Sequence, residues 1–369
     1  MKNVLSRFQV FVLLVIITTR VAAVELDMRG QFSTQLTRRY SDDEWLINAG
    51  MQYIPQLRLS QMISSVNIFD LDLSYHGSVH TDQKVSWDNL KLYRFNVRYA
   101  TEQSETQIGL QKINFGPAQL LRSLRWFDRL DPRDPMKITE GVYGLRYRYN
   151  FLNNANIWLW GLYGNDETKG YEITPTAAKK PEFGGRIQTP VPMGEMAVTF
   201  HSRQAENTES DRIFRENRIA LDGRWDGFVG AWFEAVVQHQ DIASPYNYTK
   251  MLTLGLDYTF GIGNGLYAVS EHIINRYTEE LIGYDDISDQ DIQMSAVMLN
   301  YPLTFFDNLM LIEFYSWETK DFYQYLGWQR TYDNLLLNVS AFNYPESPLM
   351  GVNSFGAGYG VQLMLIYNH

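Results

Sequence analysis

Apolar and polar residues alternate one for one along most of this chain, which is the spacing of a strand whose successive side chains point to opposite faces. Phe69, Leu71, Leu73 and Tyr75 alternate with Asp70, Asp72, Ser74 and His76, and Tyr93, Phe95, Val97 and Tyr99 with Arg94, Asn96 and Arg98. Tyr143, Leu145, Tyr147 and Tyr149 alternate with Gly144, Arg146, Arg148 and Asn150. Val229, Ala231, Phe233, Ala235 and Val237 form one face, as do Leu252, Leu254, Leu256 and Tyr258 against Thr253, Gly255, Asp257 and Thr259. Val361, Leu363, Leu365 and Tyr367 repeat the pattern at the C-terminal end. The alternation predicts strands near 25–37, 45–62, 66–79, 89–101, 105–114, 141–150, 155–164, 182–189 and 194–203. A second set follows near 213–223, 227–239, 250–260, 265–276, 290–300, 308–318, 321–331, 334–343 and 356–368.

A soluble sandwich alternates as well, so the connections have to decide. Short turns such as Asn153-Asn154, Pro190-Val191-Pro192, Asp222-Gly223 and Gly261-Ile262-Gly263-Asn264 take turns with longer loops near 115–140, 165–181, 240–249, 277–289 and 344–355. Short turns at one end and long loops at the other mark a transmembrane β-barrel. The short connection near Lys320 breaks the rule, so the expected fold is all-β, a closed antiparallel transmembrane barrel of about 18 strands, with 16 as the lower count. Closure has a physical cause: an unpaired strand edge in lipid costs several kcal/mol per group.

The N-terminus sets the compartment. Lys2 and Arg7 precede an apolar run from Val10 to Ile17 and then Val21-Ala22-Ala23, the pattern of a cleavable signal peptide over residues 1–23. That run is far shorter than the roughly 20 residues a membrane-spanning helix needs. Residues 24–369 then form one barrel domain. The chain has 24 Tyr, 20 Phe and 9 Trp, yet its mean hydropathy is on the polar side, as expected of a wall that alternates between lipid and water. It holds no Cys, which excludes disulfides and a lipidated cysteine. Losing the leader removes Lys2, Arg7 and Arg20 but no acid, leaving a chain more acidic than its formal −10 and unsuited to nucleic acid.

The C-terminal segment Gly358-Tyr359-Gly360-Val361-Gln362-Leu363-Met364-Leu365-Ile366-Tyr367 resembles the terminal strand recognised by the barrel-assembly machinery of outer membranes, although Asn368 and His369 follow the last aromatic. Gly109-Leu110-Gln111-Lys112-Ile113-Asn114-Phe115-Gly116-Pro117, followed by Phe127-Asp128 and Asp131-Pro132-Arg133-Asp134-Pro135, resembles a strand and loop of porin-like families. Related segments occur in phosphate-selective and alginate-export types. The resemblance implies an outer-membrane channel and no particular substrate. Counted from a periplasmic N-terminus, the loop over 115–140 is the third on the long side, and in general porins that loop folds into the lumen. A solvated loop over the rim is the alternative.

Candidate channel-lining residues follow. The loop holds Arg122, Arg125, Arg129 and Arg133 among Asp128, Asp131 and Asp134, and Pro117, Pro132 and Pro135 stiffen it. Arg94, Arg98, Arg146 and Arg148 share the polar parity of their strands, where facing lipid would cost roughly 2–4 kcal/mol at mid-depth. They either line a polar lumen and favour anions or are tied up by acids such as Asp70 and Asp72. The six His are scattered without metal spacing, no Ser-His-Asn grouping suggests an outer-membrane phospholipase, and Asp285, Asp286, Asp289 and Asp291 lack a calcium-loop pattern. No catalytic residue, metal or cofactor is therefore expected. The expected function is passive diffusion of small hydrophilic solutes, anions included. The expected partners are outer-membrane lipid and lipopolysaccharide, the assembly machinery and further copies in a homo-oligomer. The alternatives are a non-conducting barrel scaffolding an export or electron-transfer complex, and a secreted all-β binding protein.

Overall fold

The computed structural model describes residues 24–81, 89–207, 210–242, 246–281, 291–345 and 357–369. The expected signal peptide and Asp285, Asp286 and Asp289 lie outside these residues. The first half contains β1 (Val24–Ser41), β2 (Glu44–Met62), β3 (Ile68–His80), β4 (Leu90–Ala100), β5 (Ser104–Gln111), β6 (Val142–Asn150), β7 (Asn156–Leu162), β8 (Glu182–Val191) and β9 (Gly194–Asn207). The second contains β10 (Arg212–Asp226), β11 (Gly230–Gln240), β12 (Tyr248–Phe260), β13 (Leu266–Thr278), β14 (Ile292–Pro302), β15 (Asp307–Ser316), β16 (Phe322–Thr331), β17 (Leu335–Tyr344) and β18 (Gly358–Asn368). Every strand pairs antiparallel with its neighbours in sequence, and β1 also pairs with β18, so the 18-stranded sheet closes on itself. The seam runs from Gln31 opposite Asn368 to Tyr40 opposite Tyr359.

The parity expected from the alternation holds around the ring. On β12, Leu252, Leu254 and Leu256 are exposed on the outer face while Met251 and Thr253 are buried inside. On the last strand Val361, Leu363, Leu365 and Tyr367 point out, and Gln362, Met364 and Ile366 point in. Outward aromatics gather at both rims: Tyr40, Trp45 and Tyr359 with Tyr315, Trp317 and Phe322 at the loop-bearing end, and Tyr149 and Phe151 with Phe228, Tyr258 and Phe260 at the end holding the termini.

Three expectations need correction. The dipeptide Asp222-Gly223 is not a turn, because β10 continues to Asp226 with Asp222 opposite Glu234. Asp-Gly is a strong local turn signal, but the Asp222 carboxylate is held by Arg186 and needs no turn to satisfy it. The connection after β1 is shorter still than the one at Lys320: Asp42 and Asp43 alone bridge β1 and β2, with φ of 51° and 64°, as a two-residue hairpin requires. Nor is the lumen polar all round, since Val269, Ile273, Met294, Ala296, Ile312 and Phe314 all line it on β13–β15.

Candidate functional site

The segment 112–141 between β5 and β6 crosses the interior. Its entry is Phe115-Gly116-Pro117, where Gly116 has a φ of 95° and an added Cβ would stand 2.4 Å from Glu234 Oε1. Only glycine lets the backbone come this close to the wall. The N–H groups of Ala118 and Leu124 donate to Glu234 at 3.0 and 2.8 Å, and those of Gln119, Leu120 and Leu121 donate to Glu271 at 2.7, 2.9 and 2.6 Å. Trp232 Nε1 adds a further bond to Glu271, and Thr253 Oγ1 donates to the Leu121 carbonyl. These wall residues stand on β11–β13, across the ring from the strands that carry the insert. A carboxylate buried this deeply is tolerable only when its oxygens are bonded, and the main chain of the insert supplies those donors. Sequence reasoning missed both acids; the available signal was a Glu on the inward parity between two apolar residues, Trp232 and Val236 around Glu234 and Val269 and Ile273 around Glu271.

Burial of apolar surface holds the insert on either side. Ala118, Leu120 and Leu121 pack against the apolar lumen wall of β13–β17, including Ile312, Phe314 and Tyr325. Ile113, Phe115, Leu124, Trp126 and Phe127 pack against Trp160, Leu162, Ala220 and Val236. Phe115 stacks on Trp160, and Phe127 meets His201 edge-on.

The charged residues expected to line the channel divide within the insert. Arg122 is bonded through both terminal nitrogens to Asp128, at 2.5 and 3.1 Å, and also reaches Asn114. Arg133 forms a two-point pair with Asp131 and lies over the Tyr344 ring. Asp134 accepts the N–H groups of Met136 and Ile138, and burial pushes its carboxyl above the ordinary range. Arg129 bonds Thr168 and the Gly170 carbonyl in the connection between β7 and β8. Burial, followed by the Arg122 cation, holds Arg125 below the usual arginine value.

The four wall arginines form a separate group. Arg98 bonds Asp70 at 2.6 Å and Glu105 at 2.8 Å, while Arg146 bonds Glu105 at 2.6 Å and Gln107 at 2.7 Å, so one carboxylate is shared by two guanidinium groups. Arg148 bonds Asn150 and lies over Trp158. Arg94 stands nearer the insert and donates to the Thr139 carbonyl. Beside them Arg58 pairs with Asp72, its side chain 47% exposed although it faces inward; Arg98 is 34% exposed. Water therefore reaches this wall.

The connection 163–181 also turns inward. Its Lys169 and Glu172 meet Glu182, Arg203, Glu216 and Arg218 in a buried network of six ion pairs. His201 joins through Glu182 and accepts from Trp160 Nε1 at Nδ1. The network fills the sector inside β8–β10, and its partners come from strands and a loop that no sequence spacing links.

Three cavities run along the insert. One of about 410 Å³ opens near the long loops beside Arg125, Arg129, Glu172 and Arg203, and one of about 780 Å³ lies toward the termini beside Asp131, Asp134 and Lys137. A narrow space of about 50 Å³ lies between them, and Arg122 borders all three. The four wall arginines border none of the three.

Solved structures with a similar fold include outer-membrane proteins. OmpF of Salmonella typhi in complex with daunomycin aligns with a TM-score of 0.55 at 11% identity, covering 93% of this chain and 97% of that one. An anion-selective porin from Comamonas acidovorans aligns with a TM-score of 0.55 at 12% identity, covering 94% of this chain and all of that one. OmpT of Vibrio cholerae, an outer membrane protein in trimer form, aligns at 0.54 and 12% with the same coverage. No protein-family model matches the chain, and no curated protein matches its sequence. The chain has a porin-like outer-membrane barrel fold.

Proposed function

We propose that the protein is an outer-membrane diffusion channel that passes small hydrophilic solutes along the β1–β6 wall and, toward the termini, through the cavity beside Asp131, Asp134 and Lys137, with a mild preference for anions. The observation that carries this is the partial exposure of inward-facing polar side chains there, Arg58 at 47% and Arg98 at 34%, beside an insert that packs against the opposite wall. Membrane placement is supported by the apolar outer face between two aromatic rims, the arrangement that suits a lipid wall. The anion preference rests on the charge of the wall: the inward arginines Arg58, Arg94, Arg98, Arg146 and Arg148 outnumber the acids Asp27, Asp70, Asp72 and Glu105 that stand beside them on β1–β5. Cations in excess in a narrow, low-dielectric passage concentrate anions.

Planar-bilayer recording tests both levels. Discrete open steps from the purified protein are expected, and their absence overturns the channel. Changing Arg146 and Arg148 together to Glu is expected to move the zero-current potential in a salt gradient toward cations. An unmoved potential in a conducting variant means that these arginines are structural. For the membrane, Leu254→Arg is expected to lower barrel stability by about 2–4 kcal/mol, well beyond the effect of Gln56→Arg at a partly exposed inward position of β2, as read from refolding into detergent or lipid. Equal or reversed effects would exchange the two faces.

A further inference from the structure

The cavity nearest the termini has a lining unlike the rest of the interior. Asn308, Gln329 and Asn338 are register partners on β15, β16 and β17, so three carboxamides stand in one row across adjacent strands, about 4.8 Å from strand to strand. Asn300 on β14 extends the patch, and Asn114 and Gln119 line the same space from the insert. Asn338 is 2% exposed and its Oδ1 has no hydrogen-bond partner among the described residues. The charges at this cavity are mostly engaged already: Arg122 by Asp128, Asp131 by Arg133, and Asp134 by main-chain donors, leaving Lys137 exposed. Met298, Met310 and Pro132 supply apolar patches between the amides.

A carboxamide offers both a donor pair and an acceptor, as a hydroxyl offers both roles on one oxygen. A row of amides spaced like sheet strands therefore matches a neutral molecule carrying hydroxyls on successive carbons, with the methionines and proline against its C–H faces. An ionic solute finds few unengaged charges here, and a purely apolar one would leave the amides unpaired at a cost. The volume, about 780 Å³, lies within the range of small-molecule sites, roughly 300–1,000 Å³. Resting on the channel proposal, we infer that this cavity is a binding subsite for neutral, hydroxyl-rich solutes of sugar size, engaged by the Asn308–Gln329–Asn338 row.

Sucrose is the probe. Added to the purified full-length protein in a planar bilayer, it is expected to reduce the ion current saturably, whereas polyethylene glycol of similar size reduces it only in proportion to concentration. Asn308→Leu with Gln329→Leu is expected to raise the half-blocking concentration about tenfold or more, since each lost neutral hydrogen bond is worth about 1 kcal/mol. Gln329→Leu alone, expected to give about fivefold, serves if the double variant does not form a heat-modifiable barrel. A conducting protein that sucrose does not block saturably, or a variant that keeps the original half-blocking concentration, overturns the subsite and leaves the channel standing. A protein that does not conduct overturns the channel. Calorimetric titration of sucrose into the detergent-solubilised barrel then decides the subsite: heat lost in the variant upholds it, and no binding sinks it.

Discussion

The two halves of the barrel wall are built from the same alternating strands but use their inward positions differently. Between β1 and β6 those positions hold Gln31, Gln52, Arg58, Asp70, Arg98 and Glu105, several of them reached by water. Between β13 and β17 they hold Val269, Ile273, Ala296, Ile312 and Phe314 where the insert covers them, and Asn300, Asn308, Gln329 and Asn338 nearer the termini, where a cavity remains. An apolar lumen wall would be a defect in an open water channel, because its surface would sit against water. Here it is the docking face of the insert, and Glu234 and Glu271 determine where the insert lands. Which wall stays open to water and which one docks the insert is thus a matter of side-chain type at equivalent positions, with an unchanged backbone plan.

The comparison can be broken first at its seam. Strand β18 joins the apolar wall through ten register pairs with β17 and the polar wall through ten with β1. Deleting Gly360–His369 leaves both edges open, and no heat-modifiable barrel is expected on electrophoresis, because neither half can satisfy its backbone in lipid alone. A normal barrel from the truncated chain would show that the halves are independent.

A smaller effect is expected from releasing the insert. Glu271→Gln keeps the shape but replaces one acceptor oxygen with an amide that opposes the N–H groups of Leu120 and Leu121. Hydrogen bonds to a charged group are worth about 1.5–3 kcal/mol each, enough to loosen the insert without opening the barrel. Single-channel conductance is expected to rise while the heat-modifiable band persists. Unchanged conductance would mean that apolar burial alone holds the insert in place.

The smallest effect belongs to the water-reached side. Arg58→Gln removes an ion pair whose arginine is nearly half exposed, and such pairs contribute about 0–1 kcal/mol. The thermal midpoint of the barrel is expected to stay nearly constant, with a slight shift of the zero-current potential toward cations. A large loss of stability would show that the polar wall is as tightly packed as the apolar one.

Much of this was legible along the chain. Alternation located the strands to within a few residues, and the inward orientation of Arg94, Arg98, Arg146 and Arg148 followed from the cost of a charge in lipid. The exceptions are instructive. Asp222-Gly223 reads as a turn until Arg186 is seen to hold the aspartate. Glu234 and Glu271 read as ordinary acids on alternating strands until the main chain of residues 118–124 lies against them. Phe115-Gly116-Pro117 was visible as a distinctive run, but the need for glycine appears only beside the Glu234 carboxylate.

By itself the sequence determined the strands, their faces and the need to close, because period two is a property of neighbouring residues and an open edge is costly wherever it occurs in lipid. Tertiary structure alone decided which charges are neutralised, which wall is covered and where water remains. A buried charge is settled by the group that closure of the ring brings opposite it, and for Glu271 that group lies 150 residues away in sequence.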